Sequence, residues 1–354
     1  MVHLRSASKE LPTGGCWRPD YELLLTSILS GLLHERVIRG HGTKTNTIVD
    51  AGAADGTMAC FLAGIGPTGQ RVLALDPDHR NIGLIKRRYP RVVAAGFVQP
   101  MVGALGNASR PADQGAPGMR VAKAREVRPF PTYTVDELFA ARPNETLGLM
   151  HLDVEGFEAE ALSGALTTIK RDHTVVTTEV TVHRWPALTR NVLEIMEKAN
   201  YGSFLVEEIA GQRAGIRNLI HLPLRHWRRY ERSGTLALAL SSHAIFPVDA
   251  STIEDYAYPC CRRGGECCGG GKPCCSHTRV SAYLSRAARD GAVEVFSTRT
   301  PWWYQKWGQI LPTHALQLKV QRAWRNATAR DAGLAMSMRF AKAPDGKGYE
   351  PVLG

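Results

Sequence analysis

The 354-residue chain has no apolar run near the roughly 20 residues that a membrane-spanning helix needs. Its longest apolar stretches, at residues 23–33 and 235–240, are too short, so no transmembrane segment is expected. The N-terminal residues also lack the apolar stretch of a secretory signal, which predicts a cytoplasmic protein. Aromatic residues make up only 7%, but an apolar content of 44% is sufficient for a globular core.

The first part of the chain has no net charge. Residues 1–209 hold 23 basic and 23 acidic side chains, whereas residues 210–354 hold 21 basic and 10 acidic ones. The excess of +11 therefore lies entirely in the C-terminal part. We divide the chain into a leader and helix at 1–40, a main domain at 41–229 and a basic, cysteine-rich extension at 230–354.

A dinucleotide-binding G-x-G-x-x-G turn is absent. In the segment Thr47-Ile-Val-Asp-Ala-Gly-Ala-Ala-Asp-Gly56, alanine replaces the middle glycine and the last glycine comes one residue early, which argues against NAD or FAD. The β-branched residues predict a buried strand, and Gly52 and Gly56 predict a sharp turn into a helix. A ligand site is expected where such a strand ends. The alternative is an ordinary strand-to-helix turn that binds nothing.

A second strand ending in an acid follows. Residues 71–76 are mostly apolar and end at Asp76, 24 positions after Gly52. A carboxylate at this place can accept hydrogen bonds from both hydroxyls of a ribose, so the two segments predict a nucleoside cofactor. The predicted contacts are Asp50, Gly52, Ala53, Ala54, Gly56, Asp76 and Pro77.

Strand and helix patterns alternate along the main domain. The expected strands lie near residues 47–50, 71–76, 96–104, 147–153, 174–180, 204–209 and 217–222. They predict an α/β fold with a doubly wound, mostly parallel seven-stranded sheet, an antiparallel edge hairpin and an irregular basic C-terminal extension. Asp20 is expected to cap a helix that reaches about Val37, and Thr134 to form a capping box with Glu137.

Five segments resemble motifs of one family, the FkbM methyltransferases, which are class I S-adenosylmethionine-dependent enzymes. They are Val49-Asp-Ala-Gly-Ala, Leu73-Ala-Leu-Asp-Pro77, Thr134-Val-Asp-Glu-Leu138, Leu152-Asp-Val-Glu-Gly-Phe-Glu158 and Glu179-Val. The resemblance covers residues 45–222. It implies a Rossmann-like fold, S-adenosylmethionine as cofactor, and methylation of a hydroxyl on a sugar or small metabolite.

The resemblance also implies that the adenine lies beside Ala104 and Leu105. Asp76 departs from the family pattern, where glutamate is usual. Met150 and His151 depart from it too, because isoleucine and lysine are frequent there. Neither difference removes a group that cofactor binding needs.

Methyl transfer to an alcohol removes a proton from the acceptor, so a base near the strand ends is expected. The candidates are Asp153, Glu155, Glu179 and His183. Each has a second interpretation: Asp153 as a helix cap, Glu155 as a charge near a helix N-terminus, Glu179 as a structural hydrogen-bond acceptor, and His183 as an exposed loop residue.

Three vicinal cysteine pairs recur every seven residues, at Cys260-Cys, Cys267-Cys and Cys274-Cys. This spacing differs from that of zinc sites, and we predict no metal site, although metal binding, disulfides and a flexible reduced loop all remain open. Cys16 and Cys60 are expected to be structural. The aromatic segment Trp302-Trp-Tyr-Gln-Lys-Trp307 fits docking against the main domain, or stacking on bases or a membrane surface.

The predicted partner is a small-molecule or glycan acceptor. One rival is a nucleic-acid-associated protein that uses the basic extension, although no aromatic RNA-binding signature is present. The other is a degenerate scaffold, against which stands the intact set of Asp50, Gly52, Asp76 and Asp153. The oligomeric state and the choice between O- and N-methylation are left open by the sequence.

Overall fold

The structure is a computed structural model of the 354-residue chain. It describes residue 16 and residues 22–35, 37–38, 45–65, 70–112, 129–182, 185–206, 217–241, 244–253, 338–342 and 349–353. The predictions for His183, for the cysteine pairs from Cys260 to Cys275 and for the aromatic segment Trp302–Trp307 lie outside these residues. None of the described helices is long and apolar enough to cross a membrane.

The described helices and strands alternate from residue 23 onward. The helices are α1 Leu23–His34, α2 Thr57–Ile65, α3 His79–Arg88, α4 Pro90–Ala94, α5 Val135–Ala140, α6 Glu158–Ser163, α7 Leu166–Asp172, α8 Pro186–Lys198, α9 Trp227–Tyr230 and α10 Gly234–Ser241. The strands are β1 Thr45–Ala51, β2 Arg71–Asp76, β3 Val98–Val102, β4 Ala104–Leu105, β5 Thr132–Tyr133, β6 Glu145–Leu152, β7 Val175–Val180, β8 Tyr201–Val206, β9 Arg217–Pro223, β10 Ile245–Val248, β11 Met338–Lys342 and β12 Tyr349–Leu353.

One sheet of eight strands has the order β10-β8-β9-β7-β6-β1-β2-β3. Strands β3, β2, β1, β6 and β7 are parallel neighbours, whereas β9 is antiparallel to both β7 and β8. The predicted α/β fold with its antiparallel hairpin is therefore confirmed. The sheet contains the seven predicted strands, and β10 adds an eighth, antiparallel to β8. Strands β11 and β12 form a separate antiparallel hairpin.

Both faces of this sheet are covered by helices. Adjacent residues of a strand point to opposite faces, so Ile48 packs in one apolar cluster and Val49 in the other. Helices α1 to α4, α9 and α10 contribute to the first cluster, and α5 to α8 to the second. Burying each large apolar side chain contributes about 1.5–3 kcal/mol. The central strands are thereby held rigidly, and their ends form a fixed platform.

One detail differs from the sequence prediction. Helix α1 begins at Leu23, directly after Glu22, so the predicted cap at Asp20 is wrong. After β6 the chain forms two short helices, α6 and α7, which are separated at Gly164. A Cβ at Gly164 would lie 2.0 Å from the carbonyl oxygen of Gly106, so a close backbone approach requires glycine where the helix ends.

The predicted cap of α5 is confirmed. The Thr134 hydroxyl accepts a hydrogen bond from the Glu137 amide at 3.1 Å. The return contact of a capping box is replaced, because the Glu137 carboxylate accepts from the Ser109 hydroxyl instead. The Ser109 oxygen in turn accepts from the Thr134 amide at 2.9 Å, so the loop after β4 completes the cap.

A disulfide joins Cys16 to Cys60, with their Cα atoms 5.3 Å apart. Cys60 is fully buried in α2. The bond links the segment before α1 to the helix that follows the first glycine turn. The structural role expected for both cysteines is consistent with this bond, but the sequence did not indicate that they pair.

Two buried histidines link neighbouring strands through hydroxyl groups. The His151 Nδ1 lies 2.8 Å from the Thr177 hydroxyl. The His221 ring contacts the Thr178 hydroxyl at 3.1 Å and the Ser203 hydroxyl at 2.7 Å. Burial lowers the pKa of His151 to about 4 and that of His221 to about 3, so both rings are neutral in the folded protein.

Lowering the pH from about 6.5 to 4 is expected to remove a stabilising contribution of His151. Because its pKa in the folded state is about 4, below its value in the unfolded chain, the unfolded state binds the proton first. The contribution of His151 to the free energy of unfolding is complete above about pH 6.5. It is lost as the pH falls from about 6.5 to 4, and the total loss is on the order of 3 kcal/mol. Denaturant unfolding at several pH values measures it.

The comparison is between the parent and His151→Gln, because buried carboxyls with raised pKa values, such as Asp50, act in the opposite direction. The variant is expected to lose less stability on acidification than the parent. His79→Gln, which changes an exposed histidine of α3, is the control and should behave like the parent. Identical pH dependence of the parent and His151→Gln would contradict this account.

Candidate functional site

The carboxyl ends of four adjacent parallel strands, β2, β1, β6 and β7, meet at one edge of the sheet. The residues predicted to contact a cofactor lie at this edge or in the loop after β3; they are Asp50, Gly52, Ala53, Ala54, Gly56, Asp76, Pro77, Ala104 and Leu105. The predicted catalytic residues Asp153, Glu155 and Glu179 lie at the same edge. His183 lies outside the described residues.

The glycine turn at residues 52–56 is fixed against both neighbouring strands. Gly52 and Ala54 have positive φ angles of 83° and 45°. The Gly52 amide donates to the Leu75 carbonyl at the end of β2 at 2.9 Å. A Cβ at Gly52 would lie 1.8 Å from the carbonyl oxygen of Asp153, so this position requires glycine. The backbones of the β1 turn and the β6 end are therefore in direct contact.

The Asp76 carboxylate organises this turn. Its Oδ2 accepts from the Ala54 amide at 2.9 Å and from Asn81 Nδ2 at 3.1 Å, and its Oδ1 accepts from the Asp78 amide at 2.8 Å. A carboxylate has about four acceptor positions, so one remains beside these three contacts. The Asp76 carboxylate can therefore accept one further hydrogen bond, and its contact with a ribose stays a prediction.

Asp50 is the most deeply buried acid at this edge, with 1% of its surface exposed. Within the part of the chain that the structure describes, its Oδ2 has no hydrogen-bond partner. Burial, together with the charges of Asp153 and Asp76, raises the pKa of Asp50 to about 8. A buried carboxyl held in this way is stabilised by any cation that approaches it.

The turn after β6 holds its acids in a strained backbone. Glu155 has a φ of 53°, in the left-handed region that favours glycine, and Gly156 follows at 100°. The Glu158 carboxylate closes the turn by accepting from the amides of Val154 and Gly156, each at 3.2 Å. The N-cap residue of α6 is Phe157, so Asp153 is not the cap of that helix.

A cleft opens beside this turn. Glu155, Glu158 and Glu179 line one part of it, and Trp185, Leu188 and Val192 form an apolar wall. Trp185 and Leu188 are 37% and 41% exposed, whereas most large apolar side chains among the described residues are buried. The arrangement suits a ligand that presents a polar group to the acids and an apolar surface to the wall.

Glu179 is the acid at the end of β7 that faces this cleft. Burial, together with the nearby charges of Asp153 and Glu22, raises its pKa to about 9. In the protein without a bound ligand, the Glu179 carboxyl therefore holds a proton at neutral pH. A group with such a pKa is a strong proton acceptor once it is ionised.

Ala104 and Leu105 form the short strand β4, whose neighbour Gly103 donates its amide to the Asp76 carbonyl at 3.1 Å. Leu105 is 1% exposed and packs in the second apolar cluster. Leu105 thus has a packing role, and the contact of Ala104 and Leu105 with adenine stays a prediction.

Three residues that shape the site could not be predicted from the sequence. Asn81 holds Asp76, Glu22 lies near Glu179, and Trp185 lines the cleft. Asn81 is a single residue of α3, Trp185 directly precedes α8, and Glu22 precedes a helix far away in the sequence, so no local motif marks them. Glu158 belongs to the motif that carried the resemblance, and the structure gives it a specific role in closing the β6 turn.

Among the described residues, no group of three or more histidine, cysteine or acidic side chains is arranged to hold a metal ion.

Comparison with solved structures found an FkbM methyltransferase from Methylobacillus flagellatus KT, with 18% identity over 62% of this chain and 57% of that chain, at a TM-score of 0.36. An O-methyltransferase from Bacillus cereus in complex with SAH shares 12% identity over 62% of this chain and 88% of that chain, at a TM-score of 0.37. Precorrin-6y C5,15-methyltransferase from Geobacter metallireducens GS-15 shares 12% identity over 61% and 96%, at a TM-score of 0.34. Identities and scores this low carry no conclusion about function.

No curated protein sequence matches the chain. The model of the methyltransferase FkbM domain matches residues 50–202, which run from the end of β1 to the start of β8 and include the glycine turn, Asp76, Asp153 and Glu179. The resemblance to FkbM methyltransferases is therefore confirmed for residues 50–202.

Proposed function

We propose that this protein transfers a methyl group from S-adenosylmethionine to a hydroxyl group of a sugar or small metabolite. The observation that carries the proposal is the convergence of Asp50, Asp76, Asp153 and Glu179 at adjacent strand ends, next to a cleft with an apolar wall. One half of this arrangement suits a cationic nucleoside cofactor. The other half offers a place for an acceptor beside acids that can receive its proton.

The residues present fit S-adenosylmethionine, which carries a sulfonium, an ammonium and a ribose. Asp50 has a buried oxygen without a hydrogen bond in the described structure, and it is repelled by Asp153 and Asp76. Positive charge nearby would relieve that repulsion. Asp76 retains room for a hydroxyl donor. Glycine at position 52 lets the turn lie against the carbonyl oxygen of Asp153, with which any Cβ would collide.

We assign the chain's own groups distinct roles. Asp76 and the glycine turn bind the cofactor, whose sulfonium supplies an activated methyl group. Asp153 orients the reacting groups where β6 meets the β1 turn. The positive charge of the cofactor would lower the raised pKa of Glu179 so that this carboxyl ionises, and the ionised Glu179 then receives the acceptor proton. Trp185 and Leu188 hold the acceptor and exclude water from the cleft. Such chemistry depends chiefly on alignment, because the donor is already reactive.

Asp76→Asn is expected to weaken S-adenosylmethionine binding by about 1.5–3 kcal/mol, the range for loss of a charged hydrogen-bond partner. The amide keeps the size of the side chain but has one acceptor atom fewer. Isothermal titration of the folded variant measures the change. The control is Asp78→Asn, because Asp78 caps α3 through the Arg80 amide and should alter stability and not affinity. Unchanged affinity in folded Asp76→Asn would rule out this placement.

The proposed activity is tested by incubating the full chain with cofactor labelled in the methyl group and a panel of sugars and hydroxylated metabolites. Transfer of label to oxygen in at least one acceptor is expected. Paired acceptors that carry a hydroxyl or an amine at the same position decide between O- and N-methylation. Cofactor binding without transfer to any acceptor, in protein shown to be folded, would favour a binding role.

A further inference from the structure

Glu22 is a buried carboxylate outside the residues that match the family. It precedes α1, is 5% exposed, and accepts a hydrogen bond from Asn218 Nδ2 at 3.1 Å. Although it is the N-cap residue of α1, its side chain makes no capping hydrogen bond. Glutamate is also not among the preferred N-cap residues. Helix capping therefore does not explain why a carboxylate is removed from water here, at a cost of free energy.

Asn218 connects Glu22 to the proposed acceptor site. In the antiparallel pair of β7 and β9, Asn218 lies directly opposite Glu179. Directly opposed residues of such a pair point to the same face, with Cβ atoms about 4.5–5.5 Å apart. The Glu22 carboxylate, the Asn218 amide and the Glu179 carboxyl are therefore neighbours. The charge of Glu22 is one of the causes that raise the pKa of Glu179, after burial and Asp153.

Other charged groups face Glu179 from the elements around it. Asp153 follows β6, and Glu155 and Glu158 lie in the turn before α6; all three raise its pKa. Arg217 of β9 is buried and opposes Val180, so its side chain leaves the strand on the other face from Asn218. Of these charges, Glu22 alone comes from outside residues 50–222.

Building on the proposed methyl transfer, we propose that Glu22, held by Asn218 beside Glu179, is a positioning residue that makes the Glu179 carboxylate a stronger proton acceptor for the acceptor hydroxyl. The proton leaves the hydroxyl oxygen of the acceptor and binds an oxygen of Glu179. The carboxylate of Glu179 is thereby neutralised. Glu22 itself contacts neither acceptor nor cofactor. The segment before the FkbM domain thus contributes to its reaction.

Titration of Glu179 in the full chain tests the proposal without any acceptor. Protein labelled with ¹³C in its glutamate carboxyl groups is followed by NMR, and Glu179→Gln assigns the signal. Glu22→Gln keeps the size of the side chain and an acceptor for Asn218, and removes the charge. The titration midpoint of Glu179 is expected to fall by about 0.5–1 pH unit, as loss of one nearby charge would cause. An unchanged midpoint would overturn the proposal.

Two further variants keep the titration decisive. Glu160→Gln removes an exposed charge from α6, away from Asn218, and should leave the midpoint where it is in the parent. If Glu22→Gln does not fold, Glu22→Asp replaces it, because it draws the charge back by one methylene. A smaller downward shift is then expected, and a shift upward or none would contradict the proposal.

A second readout uses turnover. In Glu22→Gln, the acidic limb of the profile of kcat/KM against pH should move down by the same amount as the carboxyl titration, with unchanged cofactor affinity. A merely structural role would lower kcat/KM equally at every pH without moving the limb, and that result would overturn the proposal. If no acceptor is methylated at all, the proposed function fails, while the carboxyl titration still decides whether Glu22 acts on Glu179.

Discussion

Asp153→Asn is expected to slow methyl transfer by roughly 100-fold or more, while cofactor affinity falls by only about tenfold. Asp153 follows β6, and its amide donates to the Ala51 carbonyl at 3.0 Å, which fixes it beside the end of β1. The amide side chain keeps the size of the acid and removes its charge. Turnover therefore reports the charge, and cofactor titration reports the effect on binding.

The control for this variant is Asp136→Asn. Asp136 is an acid with a purely structural contact, because its carboxylate accepts from the amides of Thr167 and Thr168 at the start of α7. The control should lower stability by about 1 kcal/mol and leave turnover per folded molecule unchanged. Parent-like turnover of Asp153→Asn on a working acceptor would show that its charge is not used, and would leave Glu179 as the principal acid.

Gly52→Ala is expected to lower the free energy of unfolding by on the order of 3 kcal/mol. The new Cβ would lie 1.8 Å from the Asp153 carbonyl oxygen, and the φ of 83° is unfavourable for alanine. The turn and the β6 end must then separate, so cofactor affinity should fall as well. Denaturant unfolding and isothermal titration measure the two effects.

Gly96→Ala separates the collision from the backbone strain. Gly96 has a similar φ of 75°, but a Cβ there would meet nothing within 4 Å. This variant should lose about 1 kcal/mol, which is the cost of the left-handed backbone alone. If both variants lose the same stability, the close approach of Gly52 to Asp153 is not what makes glycine necessary there.

The sheet could be predicted from local pattern because its strands are apolar and are separated by helices. The seven expected strands depend on such runs, and the acids at their ends follow from the motifs at Asp50, Asp76 and Asp153. Strand β10 was missed because it is only four residues long and contains Pro247, which is atypical of a strand interior. It pairs with β8 at an edge, where proline is tolerated.

Contacts between residues distant in sequence account for the other omissions. Glu22 and Asn218 are 196 positions apart, and Cys16 and Cys60 are 44 apart, so neither pair forms a motif. The break at Gly164 depends on the approach of Gly106 from another loop. Residue types and strand ends can thus be predicted from the sequence, whereas the partners that tune a buried acid follow only from the packing.

Isothermal titration of S-adenosylmethionine into the full chain tests the central claim most directly. The account predicts saturable binding of one cofactor per chain, weakened in Asp76→Asn and close to the parent in Asp78→Asn. Binding should also release protons, because positive charge lowers the raised pKa values of Asp50 and Glu179. Titrations in buffers with different ionisation enthalpies detect that release. No binding to correctly folded protein would contradict the assignment of this edge of the sheet as a cofactor site.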